Sequence, residues 1–388
     1  MNPLDRRRFL VTSTLLGAGT LLRGKLSAKP SQTSQPSNPK MSRIPLIHVT
    51  DLYHTPQDPD DQLDLLTVAA LPEFDLKGVI LDCTQRFLEP APAGWDVRRD
   101  PGYVLVAQLG HILGRTIPCA LGPLEPLSSP NDDARSRPLS EQPGIELLLD
   151  NLESSPEPVL ISSVGSARII TAAFNRAPEL VREKTRAVLL NAGATAGTKR
   201  EWNVGLDPNA YIGLWRSGVR IHWYPCATER SAFNRKDPRG TYWKVSHETL
   251  FHDIPDPIKA WIAYGFSGSA RGDFIHALNE LGKGAVWEHV LAGTRNMWTT
   301  ASLVMAAGRS LARTSDGWRF VNPQSTKTLE TLPWRLDSIN AIVKDDTTVD
   351  WTQTPSETPY KLFGRQEGLV YGEAMAQALN ALFRSISV

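Results

Sequence analysis

The sequence predicts an open, mostly parallel α/β sheet flanked by helices on both faces, a Rossmann-like layout. Short apolar runs alternate with helical patterns through the first half of the chain, the signature of successive strand–helix–strand units. The ends of those runs fall at Asp51, Asp82, Val164, Asn191 and Cys226, and open α/β sheets bind ligands outside the carboxyl ends of their strands. With 388 residues, 41% hydrophobic and 21% charged, the chain has the composition of a globular protein with a sizeable core.

The elements follow in order. Arg6-Arg7-Arg8-Phe9-Leu10 precedes an apolar stretch, 11–22, that ends at Arg23 and Lys25, the pattern of a twin-arginine export signal. The stretch is too short for a comfortable membrane span, so cleavage near Ala28 is expected, with a periplasmic or secreted product delivered by the twin-arginine machinery. Without cleavage it would be an N-terminal anchor. Residues 29–42, rich in Ser, Pro, Gln and Lys, predict a disordered linker. Strands are then predicted at 44–50, 76–81, 118–121, 158–163, 185–190 and 219–224, with helices at 61–71, 102–113, 144–152, 167–175 and 208–217. Beyond Cys226 the pattern is mostly helical and rich in Trp, with apolar stretches at 258–266 and 299–307. Residues 315–365 are polar with scattered Pro and Trp and predict an irregular or β-rich appendage; 373–386 predict a helix packed on the body. The α/β domain is thus expected over 43–314, with 315–388 an appendage and helix of the same domain.

A formal net charge of +1 gives no reason to expect nucleic acid, an anionic membrane or a polyacidic partner. Cys83, Cys119 and Cys226 form no C-x-x-C pair and are expected as buried small hydrophobes. No Gly-rich phosphate loop follows the first strand, so no nucleotide cofactor is expected. Residues 163–167 lack the G-x-S-x-G order of a nucleophilic serine elbow. The sequence leaves a homo-oligomer open. His48, inside an apolar strand, is expected as a satisfied core histidine.

The densest chemical signal is acidic. Asp51 closes the first strand, and Asp58, Asp60 and Asp61 come just before the next helix. Carboxylates near a helix N-terminus are favoured by its dipole, but four together repel unless a cation neutralises them. Oxygen donors at this density point to a hard cation, calcium first and magnesium second.

With this order of elements the chain resembles the nucleoside hydrolase family, in a divergent branch. The strand ending at Asp51 with Asp60-Asp61 resembles the family's strand and D-P-G-x-D-D, lengthened here by Asp58-Pro59. Ile117 to Leu127 resembles its strand and G-x-x-x-P-L turn, and Gly144 to Gly165 its stretch ending in T-G-P-L-T-N. Asn191-Ala-Gly-Ala194 followed by Glu201-Trp-Asn203 and Asp207-Pro208 resembles its G-G-A and E-F-N-x-x-x-D-P. The likeness spans about residues 44–226.

The resemblance implies a small-molecule nucleoside or glycoside substrate and a calcium at the pocket floor. It implies Asp51 as metal ligand and acceptor of the water's proton, Asp61 as bidentate metal ligand, the Val164 carbonyl as a further ligand, and Asp60, Glu201 and Asn203 as ribose contacts. Gln85 stands near the family's ribose-binding Asn. Where the family carries a His-Asp pair before a late helix, this chain has Trp298-Thr299. The charge of that Asp and the usual acid for the leaving base are therefore both absent. Thr299 is a weak substitute ligand, Asp58 a candidate to restore the charge, and Trp298 or Trp202 a candidate to stack on the base. Asn203 also stands where it could cap the helix starting near Pro208. The expected function is an exported calcium-dependent hydrolase of N-ribosides. The alternatives are a nucleoside- or sugar-binding protein that has lost turnover and a hydrolase of another glycosidic substrate.

Overall fold

β1 (Ile44–Thr50) runs through the interior of a nine-stranded sheet. The computed structural model describes residues 43–55, 60–88, 99–197, 200–229, 231–325 and 328–388, apart from the side chain of Arg86. The export-signal segment, the linker and Asp58 lie outside the described residues. Residues 43–388 form one compact unit.

β1 pairs in parallel with β2 (Phe74–Leu81) on one side and with β4 (Val159–Val164) on the other. β3 (Cys119–Leu121) continues beyond β2, and β5 (Thr185–Asn191) and β6 (Ile221–Trp223) continue beyond β4, all parallel. These strands are apolar on successive residues because both faces are covered. The pleat sends Leu46, Leu160 and Leu189 into one core and Ile47, Val49, Ile161, Val188 and Leu190 into the other. Helices Asp60–Ala70, Tyr103–Ile112 and Asp256–Phe266 cover the first face; Pro143–Ser154, Arg168–Arg176 and Pro208–Arg216 cover the second. His48 is a fully buried core residue, but neither ring nitrogen meets a hydrogen-bond partner among the described residues. Burial lowers its pKa to about 3, so it is neutral.

The chain builds from β1 outward through β2 and β3, then returns across β1 to begin β4. The reversal leaves a crevice between the carboxyl ends of β1 and β4, where open α/β sheets bind ligands. Register fixes what meets there. Thr50 is level with both Leu81 and Val164, and Val164 is level with Asn191. Asp51, Asp82, Gly165 and Ala192 therefore leave the sheet together.

The second half holds more strand than its Trp-rich helical pattern predicts. β7 (Trp243–Ser246) and β8 (Thr294–Met297) form an antiparallel ribbon. β9 (Ser310–Thr314), β10 (Gly317–Val321) and β11 (Glu330–Leu332) form a small antiparallel sheet. β12 (Trp334–Val343), β13 (Val349–Gln353) and β14 (Tyr360–Arg365) extend the main sheet: β14 lies parallel to β6, and β12 is antiparallel to both β14 and β13. Leu362 and Phe363 of β14 go to opposite cores, so this stretch is built into the body. Helix Val370–Arg384 packs its apolar stripe on the first core. Among the described residues, no helix is long and apolar enough to cross a membrane.

Candidate active site

The crevice opens into a cavity of about 630 Å³, within the size range of small-molecule sites. Asp51 reaches it from the end of β1, Val164 from the end of β4, and Asp60 and Asp61 from the first turn of helix Asp60–Ala70. All three aspartates are buried. Gly165, at φ 121°, lets the chain pass beneath them. A Cβ there would lie 2.9 Å from Asp82 Oδ2 and 3.3 Å from Asp51 Cγ and Oδ1. Only glycine combines that conformation with that approach. Asp82 is buried behind this turn; its Oδ1 accepts from Ser166 Oγ at 3.0 Å and its Oδ2 meets no hydrogen-bond partner among the described residues.

The segment after β5 supplies a second group. Glu201 is the N-cap of helix Trp202–Leu206. Its Oε1 accepts from Asn203 N at 3.1 Å, and its Oε2 from Gly193 N at 2.9 Å and Val204 N at 3.3 Å. Burial raises its pKa, against the pull of these amides on the ionised form. Asn203, which lines the cavity, donates Nδ2 to the Asn191 carbonyl at 3.0 Å; this fixes the side chain and leaves its Oδ1 with acceptor capacity. The cap of helix Pro208–Arg216 is Asp207, whose Oδ1 accepts from Ala210 N, and not Asn203.

Behind this wall stands a buried ion pair. Arg168 Nε meets Asp207 Oδ2 at 3.0 Å with both side chains out of water. The remaining guanidinium nitrogens donate to the carbonyls of Cys83, Pro123 and Leu206. Asp207 Oδ2 also accepts from Leu127 N at 2.7 Å. One residue therefore ties the exit of β2, the 123–127 turn and the Glu201–Asp207 segment together.

Trp298, Phe233 and Trp202 give the cavity aromatic surface. Trp298 packs against Phe233 and Tyr242, with centroids 5.7 and 5.2 Å away, and donates its indole N–H to the Ala232 carbonyl at 3.0 Å. Its N–H is therefore already engaged.

The structure thus gathers Asp51, Asp60, Asp61, Val164, Glu201, Asn203, Trp298 and Thr299 around one cavity. Gln85 does not line it; this residue opens the short helix Gln85–Leu88. Sequence reasoning missed the wall formed by Ala227, Thr228, Glu229, Ser231, Ala232 and Phe233, an irregular stretch without periodicity. It also missed Cys226 as a lining residue. That buried thiol is pushed well above its ordinary value, first by burial and then by Glu201, Asp60, Asp64 and Asp61, a sign of how closely the carboxylates converge. The carboxylates, the Val164 carbonyl and the Thr299 hydroxyl offer oxygen donors, which suit a hard cation. Among the described residues, however, no group of three or more His, Cys, Asp or Glu side chains is disposed to hold a metal.

A nine-stranded, mostly parallel sheet with an oxygen-rich crevice at its switch point defines a nucleoside-hydrolase-type fold. The plant nucleoside hydrolase PpNRh1 shares it, with a TM-score of 0.50 at 14% identity over 89% of this chain and 100% of that one. Over 200 residues the chain is 26% identical to the pyrimidine-specific ribonucleoside hydrolase RihA of Citrobacter koseri, covering 46% of this chain and 58% of that one. Over 134 residues it is 29% identical to the non-specific ribonucleoside hydrolase RihC of Escherichia fergusonii, covering 29% of this chain and 44% of that one. The chain spans about half the length of the curated relatives it matches. No protein-family model matches it. The chain thus resembles ribonucleoside hydrolases over part of its sequence and shares the nucleoside hydrolase fold.

Proposed function

We propose that this protein is an exported hydrolase that cleaves the N-glycosidic bond of a ribonucleoside or related riboside, with Asp51 as general base. The supporting observation is the convergence of Asp51, Asp60 and Asp61 on one cavity with Glu201, Asn203 and Trp298.

Asp51, held by the close turn at Gly165, accepts the proton of the attacking water. Asp60 and the fixed Oδ1 of Asn203 bind sugar hydroxyls, and Glu201, locked by backbone amides, orients the same end of the sugar. Trp298 covers the departing base. Asp51, Asp61 and the Val164 carbonyl would hold a calcium, with Thr299 and Asp58 as further candidates. When bound, such an ion lowers the pKa of a coordinated water and orients it. Release of free ribose from inosine and uridine by the calcium-supplemented protein is the test. Turnover that falls about 10²-fold or more in Asp51→Asn supports the assignment; an equally active variant removes Asp51 from the chemistry. Export rests on Arg6-Arg7, and a periplasmic product that persists after Arg6→Lys/Arg7→Lys would contradict that route.

A second reading, a riboside-binding protein without turnover, is favoured by one feature. Thr299 stands where the resemblance calls for a carboxylate. Nucleoside binding without ribose release would support it.

A further inference from the structure

The cavity wall is acidic and aromatic. Asp51, Asp60, Asp61, Glu201 and Glu229 face it against the single guanidinium of Arg200 among the described lining residues. A bound dication would still leave these described groups net negative. Trp202 and Phe233 are more than half exposed, and with Trp298 they line the space with aromatic surface. Aromatic faces and carboxylates both attract a cationic ring.

Proton donors are scarce. The chain has eight histidines and eight tyrosines, all at described positions, and none lines the cavity. The Trp298 N–H is already given to Ala232, Arg200 does not release its proton, and the thiol of Cys226 is only a weak donor. A neutral purine or pyrimidine leaves as an anion unless an acid protonates it. A cationic base needs no acid.

We propose that the cavity is matched to ribosides whose leaving group is a cationic aromatic ring, an N-ribosyl pyridinium or an N7-alkylated purine nucleoside. The proposal rests on the hydrolase reading above and narrows its substrate class. The C1′–N bond breaks with both electrons passing to the ring nitrogen, which releases a neutral pyridine or N7-alkylpurine. Water oxygen bonds to C1′, and its proton passes to Asp51 and then to solvent. The products are ribose, the neutral base and one proton, and no oxidant or reductant is consumed.

The test compares kcat/KM of the full chain, with calcium present, for 7-methylguanosine against guanosine and for nicotinamide riboside against uridine. General acid catalysis contributes about 10²–10⁴-fold, so a site lacking the acid should favour the cationic member of each pair by a factor in that range. Guanosine and uridine cleaved within tenfold of their cationic counterparts would overturn the proposal and leave the hydrolase reading standing. No ribose released from any of the four would overturn both.

Discussion

Replacing Arg168 by methionine tests the support behind the site. The side chain is fully buried, and methionine is long enough to fill most of its volume. What is lost is electrostatic. Asp207, also fully buried, loses its ion-pair partner and keeps only the amides of Leu127 and Ala210. The carbonyls of Cys83, Pro123 and Leu206 lose a charged donor each. Breaking one side of a buried pair costs about 3–5 kcal/mol, because the remaining charge stays buried without compensation. Hydrophobic gain from the methionine offsets roughly 1 kcal/mol of that. We expect Arg168→Met to lose about 3 kcal/mol in a guanidinium denaturation titration. Arg168→Met/Asp207→Asn should recover part of the loss, since the stranded carboxylate is gone while an N-cap acceptor remains. A single variant within about 1 kcal/mol of wild type, or a double variant less stable than the single one, would refute this account of the pair.

Two further perturbations probe the turn at the site and a buried carboxyl. Gly165→Ala combines a positive φ with a contact to two carboxylates and should cost about 1–3 kcal/mol while lowering ribose release; a variant with wild-type stability and turnover would show that the turn has room. Asp100 is buried, and desolvation raises its pKa to about 6 despite amide bonds from Gly102 and Val104. Because the native pKa lies above that of the unfolded chain, its contribution is a cost, absent below about pH 4 and complete above about pH 6. Asp100→Asn should therefore flatten the decline of stability across that window, and an unchanged pH profile would assign the decline to other groups.

What the sequence made legible and what it hid have physical causes. β1, β2, β4 and β5 were readable because strands buried on both faces carry consecutive apolar residues, as in Val79-Ile80-Leu81, Val159-Leu160-Ile161 and Ala187-Val188-Leu189-Leu190. Asp51, Asp60 and Asp61 stood out because a strand end and a helix start are both marked locally. The β7–β8 ribbon was not readable: each strand is short and mixed in polarity, and the partners lie far apart in the chain. The late sheet strands were obscured for the same reason, with Lys361 and Arg365 flanking the apolar part of β14. Glu201 was legible as a site residue, but not that its carboxylate caps a helix, because Trp202–Leu206 is too short to leave a periodic signal. Arg168 looked like any basic residue in an amphipathic helix; its partners come from loops that only the fold brings together.

The central claim, that this cavity binds and cleaves a riboside, is tested most directly by a crystal structure of the Asp51→Asn variant soaked with calcium and a nucleoside. The account predicts the sugar in the crevice between β1 and β4, its hydroxyls within hydrogen-bond distance of Asp60 and Asn203 Oδ1, and the base against Trp298. A nucleoside bound elsewhere, or a crevice that stays free of sugar at saturating nucleoside, would contradict it.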